Sequence, residues 1–182
     1  VSNNKLFLNA LNKIAASLES MSEKTGVVVS WLTTGLVLIV CYDVFTRYII
    51  GRSSIAIQEL EWHLFAVIFL LGAPFTLKHD KHVRVDVLYM RFSPKKQAWI
   101  DLVGSLIFLI PFSTLIVITS WKFAMNSLSI GETSPDPGGL PMRYILKMCI
   151  PLGFTLLGFQ GLALASRSLM TLLSRDINRT VD

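Results

Sequence analysis

The chain has 182 residues, of which 52% are hydrophobic and 16% charged, with a mean hydropathy of +0.56. That is too apolar for an ordinary soluble domain of this size, so the first expectation is a small integral membrane protein. The formal charge of +5 does not point to nucleic acid, because the basic residues gather at the ends of apolar runs instead of covering one exposed face.

In residues 1–25, Phe7, Leu11, Ile14, Leu18 and Met21 recur at steps of four and three, with Asn12, Lys13, Ser20 and Glu23 between them. This spacing predicts an amphipathic helix lying on a membrane surface. The segment shows no basic start, short apolar core and small-residue cleavage site, so the first apolar run is expected to stay in the mature protein. Four stretches then lack Asp, Glu, Lys and Arg: Gly26 to Tyr42, Trp62 to Leu77, Leu102 to Trp121, and Met148 to Ser166. Each approaches the roughly 20 residues needed to cross the hydrocarbon core, and flanking residues that snorkel extend them. Spans are expected at about 26–49, 59–78, 98–124 and 143–167. The fold class is therefore an all-α integral membrane protein, a single domain over 1–182, with four transmembrane helices and an N-terminal interfacial helix. Strands are excluded because lipid satisfies no sheet edge and the apolar runs show no alternation of polarity.

Two connections interrupt the apolar pattern. In the loop 78–97, Val83, Val85 and Val87 alternate before Leu88, Tyr89 and Met90, and Pro94 ends the run. This suits a short surface-lying segment before the third span, with Trp99 at the interface. The loop 129–142 concentrates Pro135, Pro137, Gly138, Gly139 and Pro141, which break helices and fix tight turns. Counting Lys and Arg sets the orientation. Twelve fall with the N-terminal segment, the 78–97 loop and the C-terminal tail, and five (Arg47, Arg52, Lys122, Arg143, Lys147) fall on the other side. The positive-inside rule thus places both termini in the cytoplasm and the 129–142 loop outside.

Few residues offer chemistry. Cys41 and Cys149 both lie in apolar runs, where a free thiol behaves as a small buried hydrophobe. His79 and His82 with Asp80 and Asp86 resemble part of a zinc site, but His63 belongs to the opposite membrane face and the cysteines are remote, so no metal is expected. Haem fails on geometry, since His63 and His79 stand roughly 24 Å apart along one helix at 1.5 Å per residue. Asp43 with Arg47, and Glu59 with His63, are spaced i to i+4 at helix ends; they read as wet helix ends, as an ion pair such as Arg47 with Glu59, or as contacts to another membrane subunit. Small residues form tracks at Gly26, Ser30 and Thr34, and at Gly158, Gly161 and Ala165, where helices can pack closely, with internal packing the better reading. No nucleophile set, phosphate loop, paired intramembrane carboxylate or broken inverted repeat appears, so neither an enzyme nor a self-sufficient transport path is expected.

In order along the chain, DVFTRYIIGRSS (43–54), QELEW (58–62), LGAPFTLKHDKHVRVDVLYMRFS (71–93) and SPDPGGLP (134–141) resemble the small membrane subunit of tripartite ATP-independent periplasmic (TRAP) transporters, the DctQ family. The resemblance implies a non-catalytic scaffold subunit in the bacterial inner membrane, without cofactor, metal or nucleic acid. It would bind a large multi-span subunit that holds the sodium and substrate sites. A periplasmic substrate-binding protein would deliver organic acids for sodium-coupled uptake. Carried onto this chain, Arg47, Glu59, Glu61, Trp62, His82, Arg84 and Asp86 become expected subunit contacts or internal ties, and Gly138, Gly139 and Pro141 the border of a periplasmic docking surface. The alternative is an independent homo-oligomeric membrane protein, a small channel or an assembly factor; the uncharged span centres disfavour a pore.

Overall fold

The computed structural model describes residues 2–79 and 89–179. It contains four long helices and, among the described residues, no strand. Helix α1 (Ser2–Phe45) runs into a wider π-helical turn at Thr46–Ile50; α2 spans Ile55–Lys78, α3 Pro94–Ser129 and α4 Arg143–Arg179. All four are long and apolar enough to cross a membrane.

The helix ends follow from local sequence. Gly51 takes a left-handed φ of 70° and its N–H closes on Thr46 O, which stops the first helix. Ser54 is extended and releases α2, while Ser93 is extended before Pro94, whose fixed φ and missing N–H suit the first helical turn. Inside α3, Pro111 has no amide hydrogen and crowds the carbonyl one turn back; the residues just before it, Gly104–Leu109, widen into a π-helical turn in which Ile110 N–H bonds Ser105 O.

The sequence places a boundary near residue 25 between a surface helix and the first span, and no break in the helix marks it. Helix α1 is continuous for 44 residues, about 66 Å at 1.5 Å per residue. Gly26 does not break it because it lies in helix interior conformation, buried under Phe75 of α2, where a Cβ would collide with the ring. The first part of α1 turns Leu11, Ala15, Leu18 and Ser22 inward, with Ala15 and Ser22 buried, and leaves Ile14 and Met21 exposed. Its apolar stripe is thus split between a helix partner and the outside.

Helix α4 is the hub. Of its most apolar stretch 44% is buried, against 6–11% in the other three, and it packs on α1, α2 and α3 alike. Helices α1 and α2 also pack on each other, whereas α3 leans on α4 with little contact to the rest. The arrangement is an open layer folded around α4, unlike a closed four-helix bundle with a shared centre. Small residues set the spacing: Gly158 faces Ser113, Gly161 faces Leu109, and Ala163 and Ala165 are buried, so the fourth-helix track serves internal packing. A second device joins α2 to α4. Pro74 deprives the Leu70 carbonyl of its usual helical donor, and Gly153 sits against that carbonyl so closely that a Cβ there would stand 2.8 Å from the oxygen.

Candidate functional site

The polar side chains collect at the two ends of the layer. At the end carrying the α3–α4 loop, Glu59 reaches from the first turns of α2 with only 4% of its surface exposed. One carboxylate oxygen accepts the Ser134 hydroxyl, the other accepts the Leu140 amide at 2.6 Å, and the Arg143 guanidinium lies 3.5 Å away. A buried carboxylate of this kind holds its charge because donors surround it. Gly139 is what lets the loop come so near: a Cβ on it would stand 2.8 Å from Glu59 Oε2 and closer still to Ser134 Oγ. Arg143 also lies over the Trp62 ring, 5.5 Å from its centroid, and Trp62 is tilted against His63 with centroids 3.9 Å apart.

A second carboxylate secures the start of the same loop. Glu132 accepts from the Lys147 ammonium and from Ser127 Oγ at 2.6 Å, while its own carbonyl accepts the Arg143 amide at 3.0 Å. The Lys147 hydrogen bond, with the Ser127 hydroxyl behind it, holds the Glu132 carboxyl below its ordinary value. Lys147 also rests over the Phe123 ring, 4.2 Å from the centroid.

At the opposite end, α1 is tied to its neighbours. Arg167 of α4 grips both Glu19 oxygens at 2.8 Å and donates to Asn12 Oδ1 at 2.6 Å. Ser22 donates to Gln160 Oε1 at 2.6 Å. Lys78, at the end of α2, reaches Glu23 at 2.6 Å, and His79 Nε2 lies 2.9 Å from the same carboxylate. His79 therefore meets an acid on α1, and among the described residues no three metal-ligating side chains converge.

The residues singled out in the sequence fall into distinct places. Arg47 pairs with Asp43 one turn back on its own helix, not with Glu59, whose cationic neighbour is Arg143. Asp43 is buried and its Oδ1 has no hydrogen-bond partner, as is true of Glu61 Oε1. Trp62 is 41% exposed beside Arg143. His63 reaches the Glu59 backbone carbonyl instead of its carboxylate. Gly138, at φ 83°, and Pro141 are exposed, while Gly139 is half-buried in the Glu59 contact. His82, Arg84 and Asp86 lie outside the described residues. The reading of the sequence missed Ser134, Arg143, Glu19, Gln160 and Arg167 as tie points; Gln160, a polar residue deep in an apolar run, was the one legible signal among them.

These features define a small helical membrane protein crossing the bilayer four times, with its polar groups concentrated at the ends of its helices. The family model described as "Tripartite ATP-independent periplasmic transporters, DctQ component" matches residues 36–171, from the last turns of α1 into α4. The chain belongs to this family and is a small membrane component of a TRAP transporter, a system that also comprises a large membrane component and a periplasmic binding protein. No curated protein and no solved structure matches the chain.

Proposed function

We propose that this subunit is a non-catalytic scaffold for the large membrane component, in a transporter that takes up organic acids with sodium across the bacterial inner membrane. The substrate and sodium sites then belong to the large component, and the binding protein delivers the substrate. The observation that carries the reading is the distribution of polarity. Glu23 with Lys78, Glu59 with Arg143 and Glu19 with Arg167 are engaged in ties at the helix ends, and the span centres, from Gly26 to Tyr42 and in the three later runs, carry no charged side chain. A chain so built has no polar path of its own, but it has apolar flanks wide enough to lie along another membrane protein. The outward faces of α1 and α3, with Trp31, Leu38, Phe108 and Ile118 exposed, supply such flanks.

The termini lie in the cytoplasm in this reading, which the excess of Lys and Arg at their end supports. Extraction in mild detergent tests the scaffold role: the large component should co-purify at one to one. Recovery of this chain alone or as a homo-oligomer would reject it. In liposomes, the large component with the binding protein should lose sodium-driven uptake when this subunit is omitted, and undiminished uptake would also reject the role.

A further inference from the structure

At the end of the layer away from the α3–α4 loop, α1 and α4 leave an open cleft of about 400 Å³, with Leu8, Asn9 and Asn12 on one side and Arg167, Met170 and Thr171 on the other. The Arg167 guanidinium is held in one orientation, because Nε and Nη2 grip the two Glu19 oxygens and Nη1 donates to Asn12 Oδ1. A guanidinium carries five N–H groups in one plane. Two of those on Arg167, one on each terminal nitrogen, are left without an acceptor among the described residues, and 42% of the side chain is exposed. Glu19 occupies the edge of the fork that includes Nε, so the N–H left on Nη2 points away from that carboxylate. Asn12 gives its carbonyl oxygen to Arg167 and keeps its amide N–H groups for another acceptor, and Asn9 is exposed beside it. Lys13, also exposed, lies one turn from Asn9 on the same side of α1 and adds a cation. No acid lines the cleft.

The depth of the cleft narrows the choice of anion. Arg167 is the first charge after the uncharged run from Met148 to Ser166, which places it where hydrocarbon gives way to headgroups. Fixed N–H donors, amides and a nearby cation, with apolar walls at Leu8 and Met170, match a phosphate that carries hydroxyls above and acyl chains below. We propose that the cleft binds the headgroup of one anionic phospholipid of the phosphatidylglycerol type. Arg167 holds the phosphate, Asn9 and Asn12 meet the headgroup hydroxyls, and Lys13 supplies the added attraction for negative charge. The lipid then bridges α1 and α4 where the two helices leave the hydrocarbon.

The test uses the full chain, purified in mild detergent and stripped of lipid, with dioctanoyl phosphatidylglycerol titrated and bound lipid counted by native mass spectrometry. The parent should take up one molecule saturably, at least tenfold more tightly than dioctanoyl phosphatidylcholine. Arg167→Lys keeps a cation beside Glu19 but loses the fork, and should weaken binding by more than tenfold. Lys13→Gln, which leaves the Glu19 clasp intact, should weaken it by about fivefold. Lys96→Gln, a cation on α3 outside the cleft, should bind as the parent does. Glycerol 3-phosphate is the soluble source of the same group, and binding as tight as that of the lipid would overturn the assignment to a membrane lipid. Equal affinity for the two lipids, absence of a saturable site, or equal weakening by Lys13→Gln and Lys96→Gln would overturn the site itself.

Discussion

Replacing Gly153 by Ala puts a methyl carbon 2.8 Å from Leu70 O and 3.1 Å from Leu70 Cβ. Ordinary carbon-to-carbonyl contacts in packed helices lie at about 3.3–3.6 Å, so α2 and α4 must part locally by roughly 0.5–0.8 Å. The Leu70 carbonyl yields little, because it is backbone. Overpacking of this kind costs about 1–3 kcal/mol. Alanine also returns about 1 kcal/mol of helix propensity, which blurs the net effect of the single change. Gly35 removes the ambiguity: it lies in the same kind of helix interior with nothing within 4 Å of where a methyl carbon would stand, so Gly35→Ala collects the propensity without the clash. The propensity cancels in the difference between the two variants, leaving about 1–3 kcal/mol. At about 2–4 °C per kcal/mol for a chain of this size, Gly153→Ala should unfold roughly 2–12 °C below Gly35→Ala. Thermal unfolding of the two purified variants in one detergent reads this directly. Equal midpoints, or a lower one for Gly35→Ala, would refute the idea that α2 and α4 meet through a freed carbonyl.

Other outcomes follow from the ends of the layer. A double-mutant cycle on Glu19→Gln and Arg167→Ala should give a coupling of about 0.5–1 kcal/mol, small because the pair is partly exposed, and strict additivity would remove it as a clasp between α1 and α4. The carboxyl of Glu132 is held below its ordinary value, so its contribution is fully present above the unfolded carboxylate pKa and is lost as pH falls through the lowered folded value. Between pH 6 and pH 3, roughly the range in which carboxylates titrate, the parent's midpoint should therefore fall more steeply than that of Glu132→Gln; parallel curves would refute the tie. Reporter fusions at Pro94 and Gly138 should give a cytoplasmic and an external signal respectively, and the reverse pattern would invert the proposed orientation.

The membrane class and the four helices are legible in the sequence because they depend on local runs of apolar residues, which no later contact can disguise. The interior ties are not, because their partners are far apart: Glu59 meets Ser134 and Leu140 across 75 and 81 positions, and Glu19 meets Arg167 across 148. A carboxylate near a helix start reads equally as a solvated end, a pair on its own helix or an interface group, and only the folded loop decides among these. That no break in α1 marks the boundary expected at residue 25 has a related reason. Periodicity reports which face of α1 is apolar, but whether that face meets lipid or α4 depends on Ser22, Glu19 and their partners on α4. Conversely, Gly139 and Pro141 belong to one motif, yet the first is fixed by a close approach to Glu59 and the second faces out.

The central place of α4 has a consequence for the order of assembly. Helices α1 and α2 are neighbours in the chain and in space, so they can pair as soon as both have left the ribosome. Helix α3 has no such companion: its packing surface belongs almost wholly to α4, the last of the four to be made. During synthesis α3 must wait in the bilayer with Ser113, which α4 will later bury, still uncovered. The tertiary structure therefore closes in a single late step, and a chain interrupted before Arg143 would strand one membrane helix without a neighbour while leaving the first two correctly joined.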